Sequence, residues 1–312
     1  MSRGNGVSVV IPTMSRPAEL ALTVASVMAG TVLPEEIVIV DASADDLTEL
    51  AVVRFSAAFR RVKFIYERTP PGLPGQRNTG LEAGGGGIML SLDDDVILEP
   101  DFLEELLKAF DDDRVGGACG VITNQVLPGR YVRFLQWVFR QVRYAKRSYF
   151  QRSGLPTFLY RPNVPSAVEI MSGGLTLYRR AAIIDFRWDP LFNYFDDDNV
   201  SLELVKRGWR LLQWPAARLE HRMAEGARPA PMRKVRRRVL EQRLLHRRHL
   251  PQNVWNVACY YYSVWGAAAT AALRLKPRLF LGTLLGLWDV LRTRGGRHLD
   301  AALGEELIPK PE

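Results

Sequence analysis

Two aspartate triplets, a histidine and a few arginines carry the side chains of this chain best suited to cation-assisted group transfer. Asp93-Asp94-Asp95 follows the apolar run Ile88–Leu92, and Asp196-Asp197-Asp198 precedes a helical pattern ending before Gly208. Carboxylates crowded at a strand end repel one another and tolerate close approach when a divalent cation neutralises them. Asp93 and Asp95 are two apart and share a side if the strand continues. Mg2+ or Mn2+ held there would draw off negative charge growing on a leaving phosphate. A solvated acidic turn is the alternative for a bare triplet. Asp111–Asp113, which follows no strand, reads as such a turn. The strand before Asp93 favours the cation.

The elements needed to position these groups alternate in type. Val7–Pro12, Ile37–Val40, Val62–Tyr66 and Ile88–Leu92 are short apolar runs that read as buried strands. Helical spacing follows Arg16-Pro17, runs from Leu47 to Phe59, marks Asn78–Ala83 and continues after Pro100, placed as a first-turn proline. Strands separated by helices indicate parallel βαβ units, whose ligands bind beyond the carboxyl ends of the strands. Pro12-Thr13, Asp41 and Asp93–Asp95 all fall at such ends. No GxGxxG follows the first strand and no GxxxxGK[ST] occurs, which argues against a dinucleotide Rossmann domain and excludes a P-loop. Gly84–Gly87 precedes a strand and reads as a plain loop.

The segments VSVVIPTMSRP, EEIVIVDAS, PGQRNTGL and IMLSLDDDVILEPDFLEE, in this order and spacing, resemble an inverting family-2 glycosyltransferase of the GT-A fold. The resemblance covers residues 7 to about 110 firmly, and a second block reaches about residue 222. It implies an α/β fold with a mostly parallel central sheet flanked by helices, followed by a C-terminal helical extension. It also implies that Pro12, Thr13 and Arg16 lie against the nucleotide, that Asp41 accepts a hydrogen bond from the base, and that Arg77 sits near base and diphosphate. Asp93 and Asp95 become the DxD aspartates, contacting ribose and metal, with Asp94 also on the nucleotide side. An arginine forking onto phosphate fits that placement; a surface arginine is the plain alternative for Arg16 and Arg77.

In the second block, VEIMSGGLTLY reads as strand, glycine pair, strand, with Gly173-Gly174 letting a ligand approach the backbone; a simple bulge is the alternative. By resemblance, an acidic pair opens the following helix. Counting back from Gly208 places it on Asp196 and Asp197, with Asp197 the general base and Asp196 beside the sugar. A one-residue slip would move the base to Asp196 or Asp198, and acids at a helix N-terminus also serve as plain capping charge. QWPAARLEHRM resembles the family's closing strand and makes His221 a third metal ligand or a diphosphate contact. The Gln-x-x-Arg-Trp element of processive synthases is missing, so transfer of one or a few sugars is expected.

The formal net charge of +8 hides a gradient. Residues 1–120 hold 10 Lys+Arg and 19 Asp+Glu, a net −9, leaving +17 on the remainder. Between Arg228 and Arg248 nine basic residues face one acid, Glu241, with apolar residues at helical spacing; this reads as a basic amphipathic helix. It points either to a solvated face or to attraction by anionic lipid. Leu250–Leu273 has no charged residue, but Gln252, Asn253, Asn256, Ser263 and Thr270 interrupt it. A packed or interfacial helix pair, with Leu279–Leu291 as second arm, is therefore favoured over a membrane span. Residues 129–162 are basic and aromatic, and the resemblance to the family implies a place for them at the acceptor entrance.

The linear division expected is a catalytic domain over 1–225 (nucleotide-sugar half 1–122, acceptor and base half 123–225), an extension over 226–294, and a loose terminus over 295–312. Two cysteines exclude a disulfide scaffold and a four-cysteine zinc site. The N-terminal apolar run is too short for a secretory signal. The expected partners are a nucleotide-sugar donor (UDP favoured), a glycan or lipid-linked acceptor and an anionic membrane surface, with Mn2+ or Mg2+ as cofactor. The expected setting is the cytoplasmic face of the cell membrane, in cell-envelope polysaccharide synthesis. A nucleotidyltransferase would want a glycine-rich basic loop after the first strand, and PTMSRP is a poor one. A nucleic-acid-binding module built on the basic run would leave both acidic clusters unexplained, so no nucleic-acid partner is expected.

Overall fold

In a computed structural model, residues 6–222 and 230–293, with Leu299 and Leu303, are described. Arg228 of the basic run and the terminal segment 295–312, apart from Leu299 and Leu303, lie outside them. The chain runs β1 (Val7–Thr13), α1 (Pro17–Met28), β2 (Glu36–Asp41), α2 (Leu47–Ala58), β3 (Lys63–Arg68), α3 (Leu73–Ala83), β4 (Ile88–Leu92), β5 (Val96–Leu98) and α4 (Phe102–Leu107). It continues through β6 (Val115–Ile122), α5 (Arg130–Val138), β7 (Tyr144–Ala145), β8 (Tyr149–Phe150), β9 (Pro156–Leu159), β10 (Ser166–Val168) and β11 (Leu175–Arg179). Last come α6 (Arg180–Ile183), α7 (Asp196–Lys206), β12 (Arg210–His221), α8 (Pro231–His249), α9 (Val254–Leu273) and α10 (Pro277–Arg292).

Two compact units emerge, the first comprising Met1–Val126, Leu159–Pro190 and Asp196–Gly226. It is an α/β unit with the sheet order β10-β12-β6-β11-β4-β1-β2-β3, and β5 pairs with β12. The β3-β2-β1-β4 half is wholly parallel and β12 runs parallel to β6, so most of the paired length is parallel; β11 runs antiparallel between β4 and β6, and β10 and β5 run antiparallel to β12. Val9, Val10, Ile11 and Ile37–Val40 are fully buried, as expected of parallel strands covered on both faces. The chain leaves β1 for β2 on one side and is joined by β4 on the other. Such a switch point opens a crevice at the carboxyl ends, where Thr13, Asp41 and Asp93 stand.

The second unit comprises Leu127–Phe158, Leu191–Phe195 and Ala227–Glu312. It holds α5, the small sheet β7-β9-β8, and α8–α10. Residues 127–158 and 191–195 thus group with the C-terminal helices. No described helix is long and apolar enough to cross a membrane.

Three local expectations need correction. α3 begins at Leu73 rather than Asn78, because Pro74 sits in its first turn, where a missing N–H costs nothing. Pro100 lies one residue before the N-cap Asp101 of α4, and Phe110 belongs to a 3-10 turn, Lys108–Asp111. Residues 169–174 are not strand, so the glycine pair lies in the connection into β11.

α8 also differs from a free basic face. Arg236 pairs with Asp289 at 2.6 Å and Arg237 with Glu241 at 2.7 Å. Arg238, Arg243 and Arg248 lie over the rings of Phe195, Tyr260 and Phe192. Much of the positive charge that looks exposed along the sequence is taken up inside the second unit.

Candidate active site

The site lies wholly in the first unit and is built on strand ends. Gln76 Nε2 donates to the carbonyl oxygens of Thr13 (2.9 Å) and Val40 (2.8 Å), tying the ends of β1 and β2 to α3. Thr13 Oγ1 donates to Asp94 Oδ2 at 2.7 Å, and Arg16 reaches Asp94 at 3.2 Å and Asp95 at 3.6 Å. Burial pushes the Asp94 carboxyl up to about 6, against the opposing pull of Thr13 and Arg16. Pro12 and Thr13 lie beside Val40 and Asp41 in the ladder. Asp41 is fully buried and already accepts from the Ser43 N–H and hydroxyl and from Tyr66 Oη (3.0 Å).

Asp93 and Asp95 face the other way, toward His221. His221 Nε2 lies 3.1 Å from Asp95 and 3.8 Å from Asp93. Asn124 fixes the His221 backbone from both sides: His221 N donates to its Oδ1 (3.1 Å), and its Nδ2 donates to His221 O (3.0 Å). Hydrogen bonds to the two carboxylates push the imidazole up to about 10. One ligand atom from each of Asp93, Asp95 and His221 lies within 4.8 Å of the others. Two hard carboxylate oxygens and one imidazole nitrogen form a donor set that fits Mn2+ or Mg2+.

Arg77 joins this cluster to the second one. Its side chain is 2% exposed. It lies 3.6 Å from Asp93 and 3.0 Å from Asp197, and donates to Asp196. Burial opposes its charge, but Asp197, Asp196 and Asp93 outweigh that cost and raise its pKa. The sequence expectation put Arg77 beside the nucleotide; its guanidinium is engaged by the chain's own carboxylates.

Asp196–Asp198 form the first turn of α7, where the helix dipole favours negative charge. Ser201 Oγ donates to Asp197 O (2.8 Å) and accepts from Met171 N (3.1 Å), anchoring the turn beneath the segment before β11. Burial raises the Asp197 carboxyl and Arg77 works against it, while Asp93 adds to the rise. A side chain on Gly173 would overlap the Asp197 carboxylate, and one on Gly174 (φ +73°) the Asp93 carboxylate. What approaches the glycine backbone is therefore the two acids themselves.

Sequence reasoning missed Trp188 and Asn78. Asn78 grips the Trp188 backbone with two hydrogen bonds, 2.9 and 2.8 Å. The Trp188 indole N–H is turned toward the Asp197 carboxylate and lowers its pKa, although no normal hydrogen bond closes. Arg77 Nε, Tyr178 Oη, Trp188 Nε1 and Asp197 Oδ1 are all buried without a hydrogen-bond partner. Such orphans are rare and mark strained or reactive places. PGQRNTGL held the signal for Asn78, next to Arg77; Trp188 carried none.

A switch-point crevice with paired carboxylates at its mouth defines a GT-A-like α/β enzyme. Residues 8–187 match the family described as Glycosyl transferase family 2, and the chain belongs to that family and is a glycosyltransferase. Its fold is similar to that of the mannosyltransferase PcManGT from Pyrobaculum calidifontis, solved with GDP-Man and Mn2+ (TM-score 0.57, 18% identity, 98% of this chain and 88% of that one). It is also similar to GalNAc-T7, solved with UDP, GalNAc and Mn2+ (TM-score 0.56, 21% identity, 76% of this chain and 48% of that one). No curated protein matches the chain.

Proposed function

We propose that this chain is a divalent-cation-dependent, inverting glycosyltransferase. It would move one sugar from a nucleotide-diphosphate donor, UDP favoured, to a hydroxyl of a glycan or lipid-linked acceptor of the cell envelope. The observation that carries this is Arg77 drawing Asp93 of one acidic cluster and Asp197 of the other to a single guanidinium. In this reading the cation binder at the strand ends and the base in the first turn of α7 act beside one another.

Asp93, Asp95 and His221 would hold Mn2+ or Mg2+, which when bound supplies positive charge opposite the departing diphosphate. Pro12, Thr13 and Arg16 line the nucleotide side, with Asp94 steadied by Thr13 and Arg16. Asp41 fixes the end of β2 for the base, sharing a carboxylate that Ser43 and Tyr66 already hold. Asp197 takes the proton from the acceptor hydroxyl as its oxygen attacks the anomeric carbon from the face opposite the nucleotide. A pKa raised by burial suits that task, since a base works best near the operating pH. Asp196 and Gly173-Gly174 border the sugar. The chain is further proposed to work peripherally at an anionic membrane surface on the cytoplasmic side, through its second unit, with no nucleic-acid role.

A thermal-shift panel of UDP-, dTDP- and GDP-sugars with and without Mn2+ tests the reading. Stabilisation by one donor class, dependent on Mn2+ and lost in Asp95→Ala, is expected. Equal shifts without cation, or none with any donor, would overturn it.

A further inference from the structure

A hollow of about 520 Å3 opens on the second unit, lined by Arg140, Arg152, Trp255, Ala258, Cys259 and Tyr262. That volume falls within the roughly 300–1,000 Å3 typical of sites for small ligands. Its floor is one face of α9, where Trp255, Ala258, Cys259 and Tyr262 recur at helical spacing and Trp265 continues the stripe. Trp255 is 73% exposed, Trp265 55% and Tyr262 45%, so much of this face is left uncovered by the described residues. Among the described residues no side chain forms an ion pair or hydrogen bond with either guanidinium of the hollow.

The backbone that carries both arginines is fixed. Phe139 packs where Gly266 has no side chain, its ring 5.8 Å from that of Tyr262, and Gln141 Nε2 donates to Ser263 O at 2.6 Å. Between them Arg140 adopts a left-handed conformation, φ +52°. Ser153 Oγ donates to Arg140 O (3.0 Å), and Gln242 Nε2 donates to Ser153 O (2.7 Å), so the residue after Arg152 is tied to the same place. Two arginines with no side-chain partner among the described residues thus line an apolar trough rimmed by aromatic side chains, whereas the arginines of α8 are largely engaged internally.

We propose that this hollow takes an apolar chain of an anionic bilayer phospholipid, with the lipid phosphate between Arg140 and Arg152. Guanidinium forks match phosphate oxygens, and tryptophan and tyrosine favour the headgroup boundary. The proposal rests on the membrane-facing part of the reading above and gives it a defined place and ligand. Near an anionic surface each basic residue contributes roughly fivefold to affinity. Losing both arginines should therefore weaken lipid capture here by about 30-fold.

Cys259 is a built-in reporter: it lines the hollow, while Cys119, the other cysteine, is buried. The full chain is labelled with a small maleimide in the presence of phosphatidylglycerol vesicles, phosphatidylcholine vesicles or inorganic phosphate, and vesicle sedimentation is measured in parallel. The expected result is slowed Cys259 labelling with phosphatidylglycerol alone, lost in the double variant Arg140→Gln/Arg152→Gln. Both side chains are exposed, and circular dichroism checks that the variant folds. Sedimentation with phosphatidylglycerol while Cys259 reacts at its free rate would overturn the hollow and spare the membrane reading. Failure to sediment would overturn both. Protection by inorganic phosphate alone, or protection unchanged in the double variant, would equally overturn the proposal.

Discussion

Arg77 and Asp197 form a buried ion pair, Nη1 to Oδ2 at 3.0 Å, between residues 120 positions apart in the chain. The same guanidinium reaches Asp93 and Asp196, so one cation offsets three carboxylates. A buried pair is weak evidence of net stability, but removing one partner leaves uncompensated charge. Arg77→Met should cost about 3–5 kcal/mol of folding free energy. Arg77→Lys should rescue only part, because a point charge cannot fork across three acids. Urea denaturation of the three proteins measures this; a loss for Arg77→Met within the error of the method would show that the carboxylates do not need the guanidinium.

Asp197→Asn keeps the shape of the side chain and removes the base. Turnover should fall by about 10²- to 10⁴-fold, the usual contribution of a positioned acid or base. Donor affinity by calorimetry should stay within a factor of a few, because Thr13, Arg16 and Asp94 are untouched. A normal rate would move the role to Asp196 or Asp198. Trp188→Phe probes the same group from behind. Losing the indole N–H, which holds the Asp197 pKa down, should move the acid limb of the kcat profile to higher pH. An unmoved limb would make Trp188 packing only.

How much of this was legible depended on distance along the chain. β1, β2 and β4 were readable because parallel strands covered on both faces become continuous apolar runs. Asp93–Asp95 was readable because it closes such a run, and His221 because it ends β12. The start of α3 was hidden by Gly72, Pro74 and Gly75, which resemble a loop until the helix is seen to accept Pro74 in its first turn. Three acids in a row carry no apolar period, so spacing alone put Asp196–Asp198 before the helical pattern, yet α7 begins at Asp196. The partners of Arg77, Trp188 and the α8 arginines depend on tertiary contacts that local pattern does not encode. That is why the sequence left Arg77 between a nucleotide contact and a surface arginine, and the basic helix between a solvated face and anionic lipid.

Gly174 offers a test of the close approach between backbone and acid. At φ +73° a non-glycine residue is strained, and a Cβ would overlap the Asp93 carboxylate. Gly174→Ala should cost about 1–3 kcal/mol in backbone conformation alone. It should also weaken Mn2+ binding, because Asp93 must move away from Asp95 and His221. Calorimetric Mn2+ titration beside a denaturation curve separates the two effects. Unchanged cation affinity in a destabilised but folded variant would show that Asp93 can shift without disturbing the ligand set.

His246 predicts an acid limit for the second unit. It is fully buried, with Nε2 2.9 Å from Asn256 O and Nδ1 2.9 Å from Arg243 Nη1. Those partners suit a neutral ring donating through Nε2 and accepting at Nδ1. Burial first, with Arg243 adding to it and the Asn256 carbonyl opposing, lowers its pKa to about 4. In the unfolded chain histidine titrates near 6.5, so below that pH the unfolded state binds a proton that the folded state refuses. The stabilisation is complete above about pH 6.5 and is lost as pH falls toward 4, by up to about 3 kcal/mol. His246→Gln, which keeps one donor and one acceptor, should be less stable than the parent at pH 7.5. Between pH 6.5 and 4.5, however, its stability should fall less steeply, by nearly one proton in the slope. Glu241, whose buried carboxyl is raised, contributes the opposite slope in both proteins and cancels from the difference. Parallel stability curves for parent and variant across that window would show that His246 does not set the limit.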